Sequence, residues 1–330
     1  MRILMVSPTY YPHVGGVEYV VKAVAERLAK LGHEVTVLAG EPAAERRREE
    51  EIKGVRVVRW PTWSPGGAYH LPRRRNELKE AARQMASESD VAYIHSAHAV
   101  FTVYAGLAAA GRTRAIFTPH YHGGGHTPLR KALWLFWRRA VGKLVKTADA
   151  VHAVSRTEAR RIAAHYPEAS AKIKVVPNGV EEDVLRRRWA GRESDYAVYA
   201  GRLERYKRVD RAMELANELG LRLLVIGDGP DKPRLEKIAA KYGAEIRGFL
   251  PREEYLSAVA SARYAINLSE AEAYSVFIAE ALAMGVPSIV SSAIAENLEA
   301  QGEAVAEGVY LVRKAEIKTW DEVVGELLRL

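Results

Sequence analysis

The chain has 330 residues, of which 48% are hydrophobic and 27% charged, a balance typical of globular proteins and not of disordered ones. It contains no cysteine, which excludes disulfides, thiolate metal sites and a thiol nucleophile. No stretch has the roughly 18 consecutive apolar residues of a membrane span. Residues 1–6 read as a short strand and not as a signal-peptide core, which favours a cytoplasmic location.

The net charge of +8 is unevenly distributed. Residues 1–185 contain 28 Lys and Arg against 18 Asp and Glu, whereas residues 186–330 contain 21 against 23. We therefore expect an anionic partner to meet the first half. The chain has only two glutamines and five asparagines, a composition that fits a thermophilic source.

Short apolar segments alternate with amphipathic ones along the chain. The first strand, 3–7, leads through a loop to a helix over 17–31 that ends at Gly32. The length and the repeated β-α-β order predict an α/β protein with two doubly wound parallel-sheet domains, 1–185 and 186–330. The last helix, within 319–330, is a candidate to cross back to the first domain. Further strands are predicted at 34–39, 55–59, 91–95, 115–118, 150–154, 173–176, 196–200, 222–226, 245–248, 264–268 and 288–291, further helices at 128–146, 210–219, 231–242, 275–284 and 321–328, and a solvated turn at 45–51.

Ligands of parallel sheets bind beyond the carboxyl ends of the strands, so the loops there are the places to search. Gly15 and Gly16 follow the first strand and open a helix, where they permit a ligand to approach the backbone. Arg202 and Lys207 follow the first strand of the second half, where they could neutralise a diphosphate without a metal. A flexible glycine loop and a solvated basic loop are the alternatives.

Two glutamates lie eight residues apart around the start of a predicted helix. Glu272 precedes the helix and Glu280 lies within it, with Ser275 and Val276 at its first turn. The free N–H groups of that turn suit a phosphate, and the carboxylates suit hydroxyl groups. A nucleotide sugar has both groups. The alternative is an amphipathic helix with ordinary surface acids.

Four further loop residues are candidates. Gly229 lies in a glycine-containing loop that permits close approach, and at Arg247 a nucleobase could lie against the backbone. Asn178 begins an Asn-Gly turn between the halves. His120 begins a histidine- and glycine-rich loop, 120–126, whose imidazoles suggest zinc, but no carboxylate or helical histidine is paired with them. We expect no metal site and instead a mobile loop at a site of sugar transfer.

In this order, the motifs resemble the retaining nucleotide-sugar glycosyltransferases of family 4, which have the two-domain GT-B fold. The resemblance covers nearly the whole chain and implies a nucleoside-diphosphate sugar as donor substrate, no cofactor and no required metal. It places the donor mainly in the second domain and the acceptor in the first. The implied site residues are Gly15 and Gly16 at the donor phosphate, His120 at the reaction centre, Arg202 and Lys207 at the diphosphate, Glu272 at the donor sugar and Glu280 at the ribose.

The sequence departs from the family pattern in two loops. Ala273, Tyr274 and Ser275 stand where Gly-Phe-Gly is usual, and Arg208 stands where a glycine usually follows the lysine. Ser275 is expected to cap the following helix and to compete for the N–H groups that a phosphate would use.

The acceptor side is indicated by the predicted helix over 128–146. Its apolar residues cover an arc of about 220° at roughly 100° per residue, whereas one packed face needs about 100°. Burial on two sides explains this pattern, and so does a basic helix on an anionic membrane surface. The second interpretation suggests a sugar or lipid-linked acceptor and a peripheral protein on the inner face of the membrane.

Two other functions compete with glycosyl transfer. A UDP-sugar epimerase or hydrolase of the same fold would also use His and Glu around a diphosphate. Nucleic-acid binding would follow from the basic charge, but no recognised module or aromatic-lined strand face accompanies it, so no nucleic-acid partner is expected.

Overall fold

A computed structural model describes residues 1–13, 15–65, 69–121, 123 and 128–330, except for the side chains of residues 128–133. Contacts divide the chain into two compact units, Met1–Pro177 with Trp320–Leu330 and Asn178–Thr319. The domain boundary predicted from the sequence, between residues 185 and 186, stays a prediction.

Strands and helices alternate through both units. The strands are β1 (Arg2–Ser7), β2 (Glu34–Glu41), β3 (Arg48–Ile52), β4 (Val55–Trp63), β5 (Leu71–Pro72), β6 (Val91–His95), β7 (Arg114–Thr118), β8 (Ala150–Ala153), β9 (Ile173–Val175), β10 (Tyr196–Ala200), β11 (Arg222–Ile226), β12 (Glu245–Arg247), β13 (Tyr264–Asn267), β14 (Ser288–Ser291), β15 (Gly302–Ala306) and β16 (Val309–Val312). The helices are α1 (Gly16–Lys30), α2 (Arg75–Ser87), α3 (Val100–Ala109), α4 (Pro128–Thr147), α5 (Arg156–His165), α6 (Glu182–Leu185), α7 (Val209–Glu218), α8 (Lys232–Ala239), α9 (Arg252–Ala260), α10 (Val276–Ala283), α11 (Ser292–Asn297) and α12 (Trp320–Leu327).

The sheet of the first unit has the strand order β3-β4-β2-β1-β6-β7-β8-β9, with β5 paired to β4. It is parallel from β4 to β9. Strand β1 is central, and Ile3, Leu4, Met5 and Val6 are all buried, as expected for a strand covered on both faces. The continuous apolar run in the sequence therefore predicted this strand correctly.

Strand β3 corrects the predicted solvated turn at 45–51. It pairs antiparallel with β4 at the edge of the sheet, although its residues are mostly exposed. Glu49 accepts hydrogen bonds from Arg56 at 2.7 and 2.9 Å, and Glu50 pairs with Arg59. Opposite charges across two strands stabilise the pairing, and a charged edge resists further strand addition. A run of glutamates can therefore form a strand when arginines face it.

The C-terminal helix α12 belongs to the first unit. Trp320 is fully buried, and the helix packs against α1. Arg27 Nε donates to Asp321 Oδ1 at 2.6 Å, and the Tyr93 hydroxyl donates to the Leu327 carbonyl at 3.0 Å. A buried aromatic ring and two long-range hydrogen bonds thus fasten the end of the chain to the first unit.

The sheet of the second unit has the order β12-β11-β10-β13-β14-β16-β15. Strands β12 to β14 are parallel, and β16 is antiparallel to both β14 and β15. The antiparallel edge was not predicted, but the α/β class with two units is confirmed. Strands β10 and β13 are neighbours, so the loops that follow them leave the sheet side by side.

Candidate active site

Lys207 and Glu272 form the centre of the candidate site in the second unit. Lys207 follows β10 and Glu272 follows β13, and Lys207 Nζ donates to Glu272 Oε1 at 2.5 Å. Both side chains are only 14% exposed. Burial acts to lower the pKa of Lys207, but the Glu272 carboxylate outweighs it and raises that pKa above its ordinary value. A charged ammonium group and a carboxylate are therefore held together at the carboxyl edge of the sheet.

The neighbouring Glu270 has a different environment. Its carboxylate is 58% exposed and pairs with Arg208 Nη1 at 2.7 Å. Glu272 instead accepts from Ser269 Oγ at 3.3 Å, and its carbonyl accepts from Asn297 Nδ2 at 2.8 Å. Of the two glutamates, Glu272 is thus the one that faces the buried cation.

Arg202 lies in the same loop as Lys207 but is more exposed. Its side chain is 47% exposed and pairs with Glu204 at 3.1 Å. Its carbonyl accepts a hydrogen bond from the Tyr199 hydroxyl at 3.1 Å, which fixes the backbone at the end of β10. This pair uses Nε of Arg202, so the other N–H donors of its guanidinium group could still bind an anion.

The glycines of the β11 loop have a packing role. A Cβ at Gly227 would lie 2.0 Å from the Gly201 carbonyl oxygen, and one at Gly229 would lie 2.5 Å from the Leu203 carbonyl oxygen. The two loops are also joined by the hydrogen bond from Leu203 N to the Asp228 carbonyl at 2.9 Å. Close backbone packing alone therefore requires glycine at Gly229, and its contact with a substrate stays a prediction.

Ser275 does not cap helix α10, contrary to the expectation from sequence. It occupies the N-cap position without a side-chain capping bond. Its hydroxyl accepts from Asn267 Nδ2 at 3.2 Å, while Asn267 Oδ1 accepts from Ser269 Oγ at 2.6 Å. A buried amide thus turns the serine away from the helix, so Ser275 does not compete for the N–H groups at Val276 and beyond.

Glu280 is buried on α10 with only 3% exposure. Its Oε1 accepts from Arg252 Nη1 at 2.7 Å, and its Oε2 accepts from the Tyr255 hydroxyl at 2.6 Å. Burial raises the pKa of Glu280, while Arg252 and Tyr255 act to lower it. Arg252 and Tyr255 were missed by sequence analysis, since 25 or more residues separate them from Glu280 and only the fold brings them together.

Arg247 and Asn178 are two further predicted residues of the second unit. Arg247 is exposed and donates to Glu245 Oε1 at 2.6 Å, which raises the arginine pKa. Asn178 is buried at the start of the unit.

In the first unit, Gly15 is the N-cap of α1 and Gly16 its first residue. A Cβ at Gly15 would lie 2.2 Å from Glu18 Oε2, whereas one at Gly16 would meet nothing within 4 Å. Glu18 accepts from the Thr9 hydroxyl at 2.6 Å. Gly15 therefore makes room for a carboxylate at the helix start, and Gly16 lies beside open space that a ligand could enter.

His120 follows β7 and has a left-handed backbone, with φ of 49°. Its Nε2 lies 3.2 Å from His95 Nδ1, and the two rings are stacked. Burial lowers the pKa of His120 to about 3, so the imidazole is neutral at pH 7. The ring can donate or accept a hydrogen bond but carries no charge, and His122 and His126 lie outside the described residues.

A buried glutamate orders the backbone beside His120. Glu158 accepts hydrogen bonds from the backbone N–H groups of Tyr121 and Val154, and its own N–H donates to the Ser155 hydroxyl at 3.1 Å. The Ser155–Glu158 capping box at the start of α5 is readable in the sequence. The hydrogen bond from the Tyr121 N–H to Glu158 could not be predicted from the sequence, because the two residues are 37 positions apart.

The buried histidines make the first unit sensitive to acid. Burial lowers the pKa of His152 to about 4 and that of His95 well below its ordinary value of 6.5. Below pH 6.5 the histidines of the unfolded chain bind protons that those of the folded chain do not. The free energy of unfolding therefore decreases as the pH is lowered. For His152 alone the loss approaches about 3 kcal/mol below pH 4. Burial raises the pKa of Glu158 to about 7, so this residue has the opposite effect and stabilises the fold as the pH is lowered from 7 to 4.5. We expect the loss to prevail, because Glu158 is one group and several buried histidines act against it.

Urea unfolding at pH 7.5, 6.0 and 5.0 tests this expectation. His152 lies between the Thr118 hydroxyl at 3.0 Å and the Val176 carbonyl at 2.8 Å. We expect His152→Asn to be less stable than the wild type at pH 7.5 and to lose less stability on acidification. A wild-type midpoint that stays constant down to pH 5 would contradict the prediction.

Within the part of the chain that the structure describes, no helix is long and apolar enough to span a bilayer. In the same part, no three His, Asp or Glu side chains cluster as metal ligands would.

Comparisons with known proteins assign the family. The model named Glycosyltransferase Family 4 matches residues 14–184, and that named Glycosyl transferases group 1 matches residues 183–329. The chain is 30% identical to a GDP-mannose-dependent alpha-mannosyltransferase of Mycobacterium tuberculosis, with 89% of this chain and 79% of that protein covered. It is 27% identical to a GDP-mannose-dependent alpha-(1-6)-phosphatidylinositol dimannoside mannosyltransferase of the same species, with 99% and 95% covered.

Among solved structures, sucrose-phosphate synthase from Thermosynechococcus elongatus matches with a TM-score of 0.67 at 16% identity, over 89% of this chain and 82% of that one. The two α/β units and this structural match show the GT-B architecture. The chain belongs to glycosyltransferase family 4, and it is an enzyme that uses a nucleotide-sugar donor. The family resemblance seen in the sequence is confirmed, and nothing in these matches supports an epimerase.

Proposed function

We propose that the enzyme transfers a sugar from a nucleoside-diphosphate sugar to an acceptor hydroxyl, with retention of the anomeric configuration and without a metal ion. The buried Lys207–Glu272 pair at the carboxyl edge of the second sheet carries the proposal. A diphosphate needs a fixed cation, and a sugar needs a hydrogen-bond acceptor beside it. The pair offers both within one contact distance.

The proposed roles follow from charge and position. Lys207 and the half-exposed Arg202 neutralise the diphosphate, and the first turn of α10 at Ser275 and Val276 adds N–H donors. Glu272 accepts from the hydroxyls of the sugar. The bond between the anomeric carbon and the phosphate oxygen breaks, the acceptor oxygen bonds to that carbon, and the acceptor proton passes to the departing diphosphate.

GDP-mannose is the first donor to test. Curated relatives at 30% and 27% identity are described as GDP-mannose-dependent, and one is described as acting on a phosphatidylinositol dimannoside. A panel of GDP-mannose, UDP-glucose and UDP-N-acetylglucosamine is therefore incubated with the enzyme, with and without membrane extract, and nucleotide release is measured. We expect release from one donor that increases with extract and persists in EDTA. Release that strictly requires a divalent metal, or no release from any donor, would contradict the proposal.

The acceptor proposal rests on helix α4 in the first unit. Val141, Leu144 and Val145 are buried, as one packed face requires, but Leu135 is 63% and Phe136 is 73% exposed. Two-sided burial therefore does not account for the wide apolar arc. At roughly 100° per residue, the exposed apolar and basic residues share one face of the helix: Leu135, Phe136, Arg139, Lys143 and Lys146.

A groove of about 560 Å³ runs along the same face. Arg138, Arg139, Lys143 and Lys146 line it, with Glu168 as its acidic residue. Exposed apolar side chains beside several cations are typical of a helix that lies on an anionic membrane. We propose that this face docks on the cytoplasmic surface of an anionic membrane and brings a lipid-linked acceptor to the enzyme.

Vesicle sedimentation tests the docking. The double variant Arg139→Ser with Lys143→Ser is expected to bind phosphatidylglycerol vesicles about 30-fold more weakly, since each cation contributes about 1 kcal/mol near an anionic surface. Added salt should weaken wild-type binding in the same direction.

The matched control is Lys237→Ser with Lys241→Ser, two exposed lysines at and just after α8 in the second unit. It removes the same charge and should leave vesicle binding unchanged. Equal losses in both double variants, or equal wild-type binding to phosphatidylcholine vesicles, would contradict docking through α4.

A further inference from the structure

The surroundings of Glu280 carry an inference beyond the predicted glutamate itself. Arg252 and Tyr255 lie three residues apart on α9, so they project from the same face of that helix. Each binds a different oxygen of the Glu280 carboxylate, at 2.7 and 2.6 Å. The carboxylate is therefore held at both oxygens and cannot rotate freely.

Arg252 is itself fixed by a second carboxylate. Its Nε and Nη2 donate to Asp183 Oδ2 and Oδ1 at 3.0 and 2.9 Å, which is the bidentate geometry that arginine favours. Its remaining Nη1 then points at Glu280. A lysine also has three N–H donors, but all three are on one nitrogen, so it could not reproduce the planar geometry that spans both carboxylates.

The same cluster controls the charge of Glu280. In the described part of the chain, the ionisable groups that act on its carboxyl include Arg252, Tyr255 and Asp183. Burial raises the pKa of Glu280, the arginine and the tyrosine hydroxyl lower it, and Asp183 raises it. Without the guanidinium group, the carboxylate would take up a proton at a higher pH. An ionised carboxylate accepts about four hydrogen bonds, so the bonds from Arg252 and Tyr255 do not by themselves prevent it from accepting from a vicinal diol.

We propose that Arg252 and Tyr255 are positioning residues for the nucleotide: they orient Glu280 toward the 2′- and 3′-hydroxyls of the donor ribose. The proposal rests on the proposed function, in which Glu280 binds that ribose. Arg252 and Tyr255 contribute through Glu280 and do not contact the nucleotide themselves.

Isothermal titration calorimetry tests the proposal with GDP and UDP and with the 2′,3′-dideoxy analogue of each. The wild type should bind its preferred ribonucleotide at least about tenfold more tightly than the dideoxy analogue, since hydrogen bonds to charged groups are strong. Arg252→Gln and Tyr255→Phe should bring this ratio toward one with little effect on the dideoxy analogue. Arg252→Lys should restore part of the ratio.

A pH series separates positioning from a general structural role. In Arg252→Gln, the preference for the ribonucleotide over its dideoxy analogue should rise with pH as Glu280 loses its proton, and it should rise more than in the wild type. The ratio of the two affinities cancels the titration of the terminal phosphate, which both ligands share. If Arg252→Gln weakens binding of the ribonucleotide and of its dideoxy analogue equally at every pH, the proposal is wrong. Arg263→Gln, at an exposed arginine of the same unit, should behave as the wild type.

Glu280→Gln distinguishes the two levels of the proposal. If it keeps the full preference for the ribonucleotide, or if the wild type binds neither GDP nor UDP, the proposed role of Glu280 fails and the positioning proposal fails with it. If Glu280→Gln loses the preference but Arg252→Gln and Tyr255→Phe keep it, only the positioning proposal is wrong.

Discussion

Lys207→Ala is expected to weaken nucleoside-diphosphate binding by about 100-fold, a loss of about 3 kcal/mol. The lysine is a buried cation whose partner is Glu272. Its removal takes away the counter-charge of the diphosphate and leaves a carboxylate in the low-dielectric site, which repels the ligand. Titration calorimetry with GDP and UDP measures the effect.

Two further variants help to interpret this loss of nucleotide affinity. Lys237→Ala removes an exposed lysine from the same unit and should leave the affinity unchanged. Arg202→Ala should also weaken binding, but less than Lys207→Ala, because Arg202 is 47% exposed and solvent screens its charge. Unchanged nucleotide affinity in Lys207→Ala would remove the lysine from the donor site.

Glu272→Gln is expected to lower kcat by about 100-fold or more, the scale of losing one preorganised group at a transition state. The donor KM should change little, since an interaction made mainly in the transition state affects kcat. Nucleotide affinity should not fall, because glutamine removes a negative charge near the proposed diphosphate site. Steady-state kinetics and calorimetry together measure the two effects.

Glu270→Gln is the control for this prediction. Glu270 has the same chemistry two residues away, but it is exposed and paired with Arg208. Its substitution should alter kcat less than about twofold, as most surface changes do. Similar losses of kcat in the two variants would show that the loop, and not the Glu272 carboxylate, is responsible.

Periodicity and loop position predicted much of the fold. Central strands such as β1, β10 and β11 are short apolar runs, and their burial on both faces leaves few other structures open to them. The charged strand β3 and the antiparallel strands β15 and β16 were missed. The residues of β3 and β15 are largely exposed, so partners elsewhere in the sheet, and not local hydrophobicity, decide the structure of these two strands.

The candidate site was predictable where sequence position alone fixes a residue at a strand end, as for Lys207 and Glu272. It was not predictable where side chains meet across the fold. The capping role expected of Ser275 was wrong because Asn267, eight residues earlier, binds its hydroxyl. From the sequence, Gly229 was predicted to let a ligand approach the backbone. Close packing against the backbone of Leu203 already requires a glycine at this position.

Incorporation of labelled sugar tests the proposed glycosyl transfer most directly. The enzyme, its preferred nucleotide sugar labelled at the anomeric carbon, and anionic lipid from membrane extract are incubated in EDTA, and the product is analysed by NMR. We expect label in a new glycosidic bond with the anomeric configuration of the donor, and loss of this product in Glu272→Gln but not in Glu270→Gln. Label recovered only as free sugar, or a product of inverted configuration, would contradict a retaining transferase.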